Sequence, residues 1–119
     1  MPGTQSIQAI FHKESGNMLN ITKRIDAQDV PFDIDGKIMH SDRSMEIIHL
    51  TLASGEKLDL HDNPNDVVFY MLEGSAFLIF GDEETEIRAD SCFRLEKRIL
   101  RGWINRGTTK ARLLVIKQL

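Results

Sequence analysis

One cysteine, Cys92, in 119 residues excludes an internal disulfide, and with it the disulfide-stapled secreted folds. That usage suits a reducing compartment, so a cytoplasmic location is expected. No apolar run approaches the ~18 residues that a membrane-crossing helix needs. The first residues, MPGTQSIQAIFHKESG, lack the charged and apolar regions of a cleaved signal. A formal charge of −3 and a pI near 5.8 give no electrostatic reason to expect nucleic acid or an anionic membrane as partner. No G-x-G-x-x-G spacing occurs, so Gly55, Gly74, Gly81 and Gly107 read as turn positions and not as a phosphate cradle. Repeats, low-complexity tracts and linkers are absent as well. The chain therefore reads as one domain.

What is present is a succession of short strands. Hydrophobic residues make up 41% and charged ones 28%, enough for an ordinary core and too apolar for a disordered chain. Met45–Leu52 (MEIIHLTL) is β-rich and ends at the turn Ala53-Ser54-Gly55. Lys57–His61 alternates, Asn63-Pro64-Asn65-Asp66 is a turn, and Val67–Leu72 is a buried-strand run. Ser75–Phe80 and Glu83–Arg88 form a hairpin around Gly81-Asp82. Asp90–Leu95, Ile99–Asn105 and Ala111–Gln118 complete the series. Strands at intervals of about 8–12 residues, without helical periodicity after residue 36, predict an all-β antiparallel sandwich or barrel from residue 38 to 119. Residues 1–37 form an arm expected to pack on the barrel or on a partner subunit. In it Ile7, Ile10, Phe11, Met18, Leu19 and Ile21 suit a short helix or edge strand, closed by Pro31 and an Asp35-Gly36 turn.

Gly55 to Gly74, GEKLDLHDNPNDVVFYMLEG, closely resembles the first sequence motif of the cupin family, G-x5-H-x-H-x(3,4)-E-x6-G. That family's fold, a double-stranded β-helix or jelly roll (RmlC-like), agrees with the strand pattern. Its motif holds a divalent metal through two His and a Glu. Here His61 keeps the first position, Asn63 replaces the second, and Val67 stands for the Glu. The family's second motif supplies a fourth ligand, a His. Counting from Ala89 puts Leu100 at that position, whereas matching Gly102-Trp103 and Asn105 puts Arg101 there, and the denser downstream match favours Arg101. Neither Val67 nor Arg101 can ligate a cation, so the resemblance implies a degenerate site without metal or cofactor. Rebuilding one from His49, Asp59, His61 or Asp66 is the alternative.

The period-two rule places Lys57, Asp59, His61 and Asn63 on one strand face, with Val67, Phe69 and Met71 on another and Arg101 and Trp103 on a third. If the family geometry holds, these line the barrel interior. Arg101 would offer a donor fork for a carboxylate or phosphate, and Trp103 or Phe69 a surface for a sugar or aromatic ring. The opposing reading packs the interior shut with Val67 and leaves Arg101 neutralised by Asp59 or turned to solvent. His12, His40 and His49 read as surface or satisfied core histidines. Cys92 reads as a small buried strand residue. Three functions compete: a binding module for a small anionic metabolite or sugar, using Asp59, His61, Asn63, Phe69, Arg101 and Trp103; a cupin-type enzyme; and a structural or partner-binding role. The enzyme would be an isomerase or epimerase with a His61 general base oriented by Asp59, or a dioxygenase with a rebuilt metal site. The resemblance also implies a homodimer, with LLVIKQL of the last strand and the N-terminal arm at the contact.

Overall fold

The computed structural model describes residues 18–119, so the expectations for Ile7, Ile10, Phe11 and His12 lie outside the described residues. Ten strands follow a 3-10 turn at Arg24–Asp26. They are β1 (Gln28–Asp29), β2 (Asp35–Ser41), β3 (Met45–Leu52), β4 (Lys57–His61), β5 (Asp66–Glu73), β6 (Ser75–Phe80), β7 (Glu83–Arg88), β8 (Cys92–Leu95), β9 (Arg101–Ile104) and β10 (Ala111–Gln118). All pairings are antiparallel, in a six-stranded sheet of order β1-β2-β3-β10-β5-β8 facing a four-stranded sheet of order β4-β9-β6-β7. This is the expected jelly-roll architecture. Among the described residues no helix is long and apolar enough to cross a membrane.

Alternation along the strands decides which side chains meet between the sheets. Leu50 and Leu52 of β3, Val67, Phe69 and Met71 of β5, Ala76 and Leu78 of β6, and Ala111 and Leu113 of β10 form one buried cluster with Trp103. Phe69 stacks on Phe93 at 4.9 Å and meets Trp103 edge-on at 5.7 Å. Such aromatic pairs add about 0.5–1.5 kcal/mol each beyond the area they bury, and they make the wall stiff.

Two local details differ from the expectation. Asp35 and Gly36 open β2 and do not form a turn, because the Val30 N–H donates to the Gly36 carbonyl at 2.9 Å and Gly36 faces Leu50 across the sheet. The turn lies earlier, at residues 31–34, and the sheet begins at Gln28 within the arm. Gly74 is the corner at which the chain passes from β5 in one sheet to β6 in the other. Its φ of +73° favours glycine, and a Cβ there would collide with the Lys110 carbonyl.

Candidate functional site

The space between the sheets is not packed shut. A cavity of about 620 Å³ lies inside the barrel, in the range usual for small-molecule sites. Ile48, Leu50, Val67, Phe69, Val115 and Trp103 make its apolar wall. Val30, Phe32 and Ile34 close one side, so the residues ahead of β2 contribute to it. Phe69 already gives one ring face to Phe93, so it serves as wall more than as a free stacking platform.

Arg101 is the most deeply buried polar side chain lining this cavity. It is 2% exposed, lies at the first position of β9 and carries its guanidinium carbon 5.9 Å from the centre of the Phe69 ring. Nη1 donates to the Ile99 carbonyl at 3.1 Å, whereas Nη2 is buried without an acceptor among the described residues. Among the described residues no carboxylate comes within ion-pair distance of it. Burial pulls its pKa below the usual arginine value, and the Asp62 charge opposes that shift. Arginine still keeps its proton at any ordinary pH. Arg101 therefore neither faces solvent nor pairs with Asp59.

The expected common face of Lys57, Asp59, His61 and Asn63 is broken by a bulge. Leu58 pairs with Trp103, but His61 and not Leu60 pairs with Arg101, so an extra residue enters β4 between them. Gly102 permits this, because a Cβ there would stand 2.7 Å from the Leu58 carbonyl oxygen. The bulge leaves the Asp59 side chain 90% exposed, 3.7 Å from the Lys57 ammonium. Directly after the bulge, His61 stands at the mouth, its exposed ring donating through Nδ1 to the Asp59 backbone carbonyl at 3.0 Å. The Asp59 carboxylate thus does not orient His61, contrary to the dyad expected for a general base. Asn63 lines the cavity, though its Oδ1 accepts from the Asn65 N–H at 2.9 Å to build the turn.

The positions that the resemblance equates with metal ligands do not fit a divalent cation. Val67 offers no donor atom, and the Arg101 charge repels a cation in an apolar enclosure. The alternative donors do not converge either. His49 lies on the outer face of β3, where its Nε2 accepts from Arg112 Nε at 3.1 Å and its Nδ1 is buried without a partner. Burial, then the Arg112 and Arg24 charges, push its pKa down. Asp66 accepts from the Lys97 N–H at 2.9 Å and from Arg94 at 3.0 Å, which hold its carboxyl below the usual range. Among the described residues no three His, Cys, Asp or Glu side chains gather as a metal would require. His40 pairs with Asp42 at 2.6 Å beside the β2–β3 turn. Cys92 is exposed and not buried as expected, because it falls on the outer face of β8, one residue from inward-facing Phe93.

Lys117 escaped the sequence reading. It lines the cavity with its ammonium 3.4 Å from Glu46. Its signal was available: Ala111, Leu113, Val115 and Lys117 share one parity of β10, so a lysine follows three inward apolar residues.

Comparison with known proteins agrees with this architecture. The family profile described as "Cupin domain" matches residues 48–117. The polyketide cyclase RemF from Streptomyces resistomycificus superposes with a TM-score of 0.75 at 14% identity, over 85% of this chain and 80% of that one. An RmlC-like cupin from Shewanella frigidimarina gives a TM-score of 0.72 at 12% identity, over 84% and 90%. KdgF from Halomonas sp. gives 0.70 at 14%, over 85% and 94%. These likenesses show the fold alone. No curated protein sequence matches the chain. With the profile spanning more than half of its residues, the chain belongs to the cupin family.

Proposed function

We propose that this cupin binds a small organic anion in the barrel cavity and holds it through Arg101. The observation that carries this reading is the buried Nη2, a donor with no acceptor among the described residues, set beside the apolar wall of the cavity. A buried polar group left unsatisfied costs about 1–3 kcal/mol, and more when charged. A ligand oxygen between the sheets would remove that cost. Phe69 and Trp103 supply wall, and His61 and Asn63 supply polar groups at the mouth. Asp59 acts only at the rim, through Lys57. This reading uses no metal or cofactor. An isomerase or epimerase with His61 as base is less well supported, because no carboxylate is placed to orient its ring.

Trp103 is the only tryptophan of the chain and forms part of the wall, so its fluorescence reports occupancy. Titration with a panel of small carboxylates is expected to give a saturable change. Arg101→Gln should weaken it roughly 10–100-fold, the worth of charged hydrogen bonds of ~1.5–3 kcal/mol. Equal affinity in a folded Arg101→Gln protein would sink the proposal, as would the absence of any saturable response at millimolar concentration.

We also propose that the molecule is a homodimer in a reducing, cytoplasmic setting, with no nucleic acid or membrane as partner. Support comes from the outer face of the six-stranded sheet, where Ile47, Ile116 and Val68 form a part-exposed apolar row across three strands. Light scattering should return a dimer at micromolar concentration, and Ile116→Glu should return a monomer. A monomeric natural protein would overturn this. The free, exposed Cys92 thiol fits a reducing compartment.

A further inference from the structure

We infer that the anion is a hydrophobic monocarboxylate, with an aromatic, alicyclic or branched body, and not a sugar acid or a phosphate ester. This deepens the anion-binding reading and rests on it. Two observations carry it: the charges around the cavity and the division of its lining.

Among the described residues the charges around the cavity fall into ion pairs except for two, Arg101 and Asp33. Lys57 stands with Asp59 at 3.7 Å, Lys117 with Glu46 at 3.4 Å, and Arg98 with Asp62 at 3.5 Å. Asp33 on the rim is exposed to solvent. Arg101 is then the cation left over inside, and it is matched by a single negative charge. A second charge on the ligand would find no partner there and would have to shed its hydration in an apolar enclosure, at steep cost.

The enclosed part of the lining is polar at one end only, since Asp33, Lys57 and Asp59, which also line the cavity, are exposed to solvent. β4 ends at His61, and β5 begins at Asp66 after the link 62–65, so the His61–Arg101 rung and the Val67–Lys117 rung lie at the same end of the barrel. Glu46 faces Lys117 on that rung as well. Deeper in, the next rungs are Ile48, Val115 and Phe69 in one sheet and Leu58 and Trp103 in the other. Further still lies Leu50. Of these side chains only Trp103 carries a hydrogen-bond donor, one indole N–H, and none carries a strong acceptor. A polyhydroxylated body would leave most of its hydroxyls unsatisfied against them, whereas a hydrocarbon body would displace water from apolar wall. Each buried methylene is worth roughly a factor of 4 in affinity, so a body of three or more should outweigh a hydroxylated one by at least about 30-fold.

The test compares phenylacetate, cyclohexanecarboxylate and 4-methylpentanoate with gluconate and galacturonate, by Trp103 fluorescence and calorimetry on the full chain. Phenyl phosphate and benzyl alcohol extend the panel to a dianion and an uncharged body. The hydrophobic monocarboxylates should bind at least about 30-fold tighter than the sugar acids, with phenyl phosphate and benzyl alcohol both weaker. Val115→Thr, which keeps shape and adds a hydroxyl, should lower phenylacetate affinity several-fold while leaving the effect of Arg101→Gln intact. Sugar acids binding as tightly, and in an Arg101-dependent manner, would overturn this inference yet leave the anion site standing. Preference for phenyl phosphate would overturn the single-charge argument. Benzyl alcohol binding as well as phenylacetate, indifferent to Arg101→Gln, would overturn both readings, and so would a panel in which nothing binds.

Discussion

Asn105→Ala should lower the free energy of unfolding by about 3–4 kcal/mol, seen as a reduced urea midpoint with an unchanged slope. The side chain is fully buried between the end of β9 and the end of β3. Its Nδ2 donates to the Leu52 carbonyl at 3.0 Å and to the Thr109 carbonyl at 2.9 Å, and its Oδ1 accepts from the Gly107 N–H at 2.9 Å. Three main-chain groups of the β9–β10 connection and of β3 thus depend on one amide. Alanine leaves all three without that partner, at roughly 1 kcal/mol or more each. Asn105→Asp should fare no better, because its second oxygen would face two carbonyl oxygens in place of a donor. A cost below about 1 kcal/mol for the alanine variant would mean that water takes over these bonds and that the connection is not pinned from inside.

Asn105 also marks where sequence reading stops. As part of Gly102-Trp103-Ile104-Asn105 it helped to align the second motif and to place Arg101, but no pattern told what the amide holds. Strand positions were more legible. Met45–Leu52, Lys57–His61, Ser75–Phe80, Glu83–Arg88 and Ala111–Gln118 stand where alternation and turn residues put them. The first four are bounded by local chemistry: Gly55, Gly74 and Gly81 all adopt positive φ beside them. The opening of the sheet was harder, because Asp35-Gly36 is a turn signal only until Val30 and Leu50 engage Gly36 from either side. That engagement is tertiary and leaves no local trace.

The site was legible as a set of residues and not as an arrangement. Phe69, Arg101 and Trp103 come together because their strands are regular. Asp59 stays exposed at the rim, because one extra residue in β4 reverses parity ahead of His61. A bulge of this kind is decided by the close approach of Gly102 beneath it, and the glycine alone does not announce it. The same bulge bears on function. It separates the Asp59 carboxylate from the His61 ring and so removes the orientation that a general base would need.

Replacing Arg101 by methionine should move stability and binding in opposite directions. Methionine fills a similar volume, packs against Phe69 and has no charge to desolvate. Unfolding should therefore require about 1–2 kcal/mol more, since exchanging a buried charge for a well-packed apolar side chain is often stabilising by about that much. Carboxylate affinity should fall roughly 100-fold at the same time, with no donor left for the ligand oxygen. Paired measurements of urea unfolding and Trp103 fluorescence titration check both halves on one protein. A structural arginine predicts the opposite sign for stability: losing the bond from Nη1 to the Ile99 carbonyl and the contact over Phe69 would then dominate, and Arg101→Met would destabilise. The sign of that one change separates a side chain kept for its ligand from one kept for the fold.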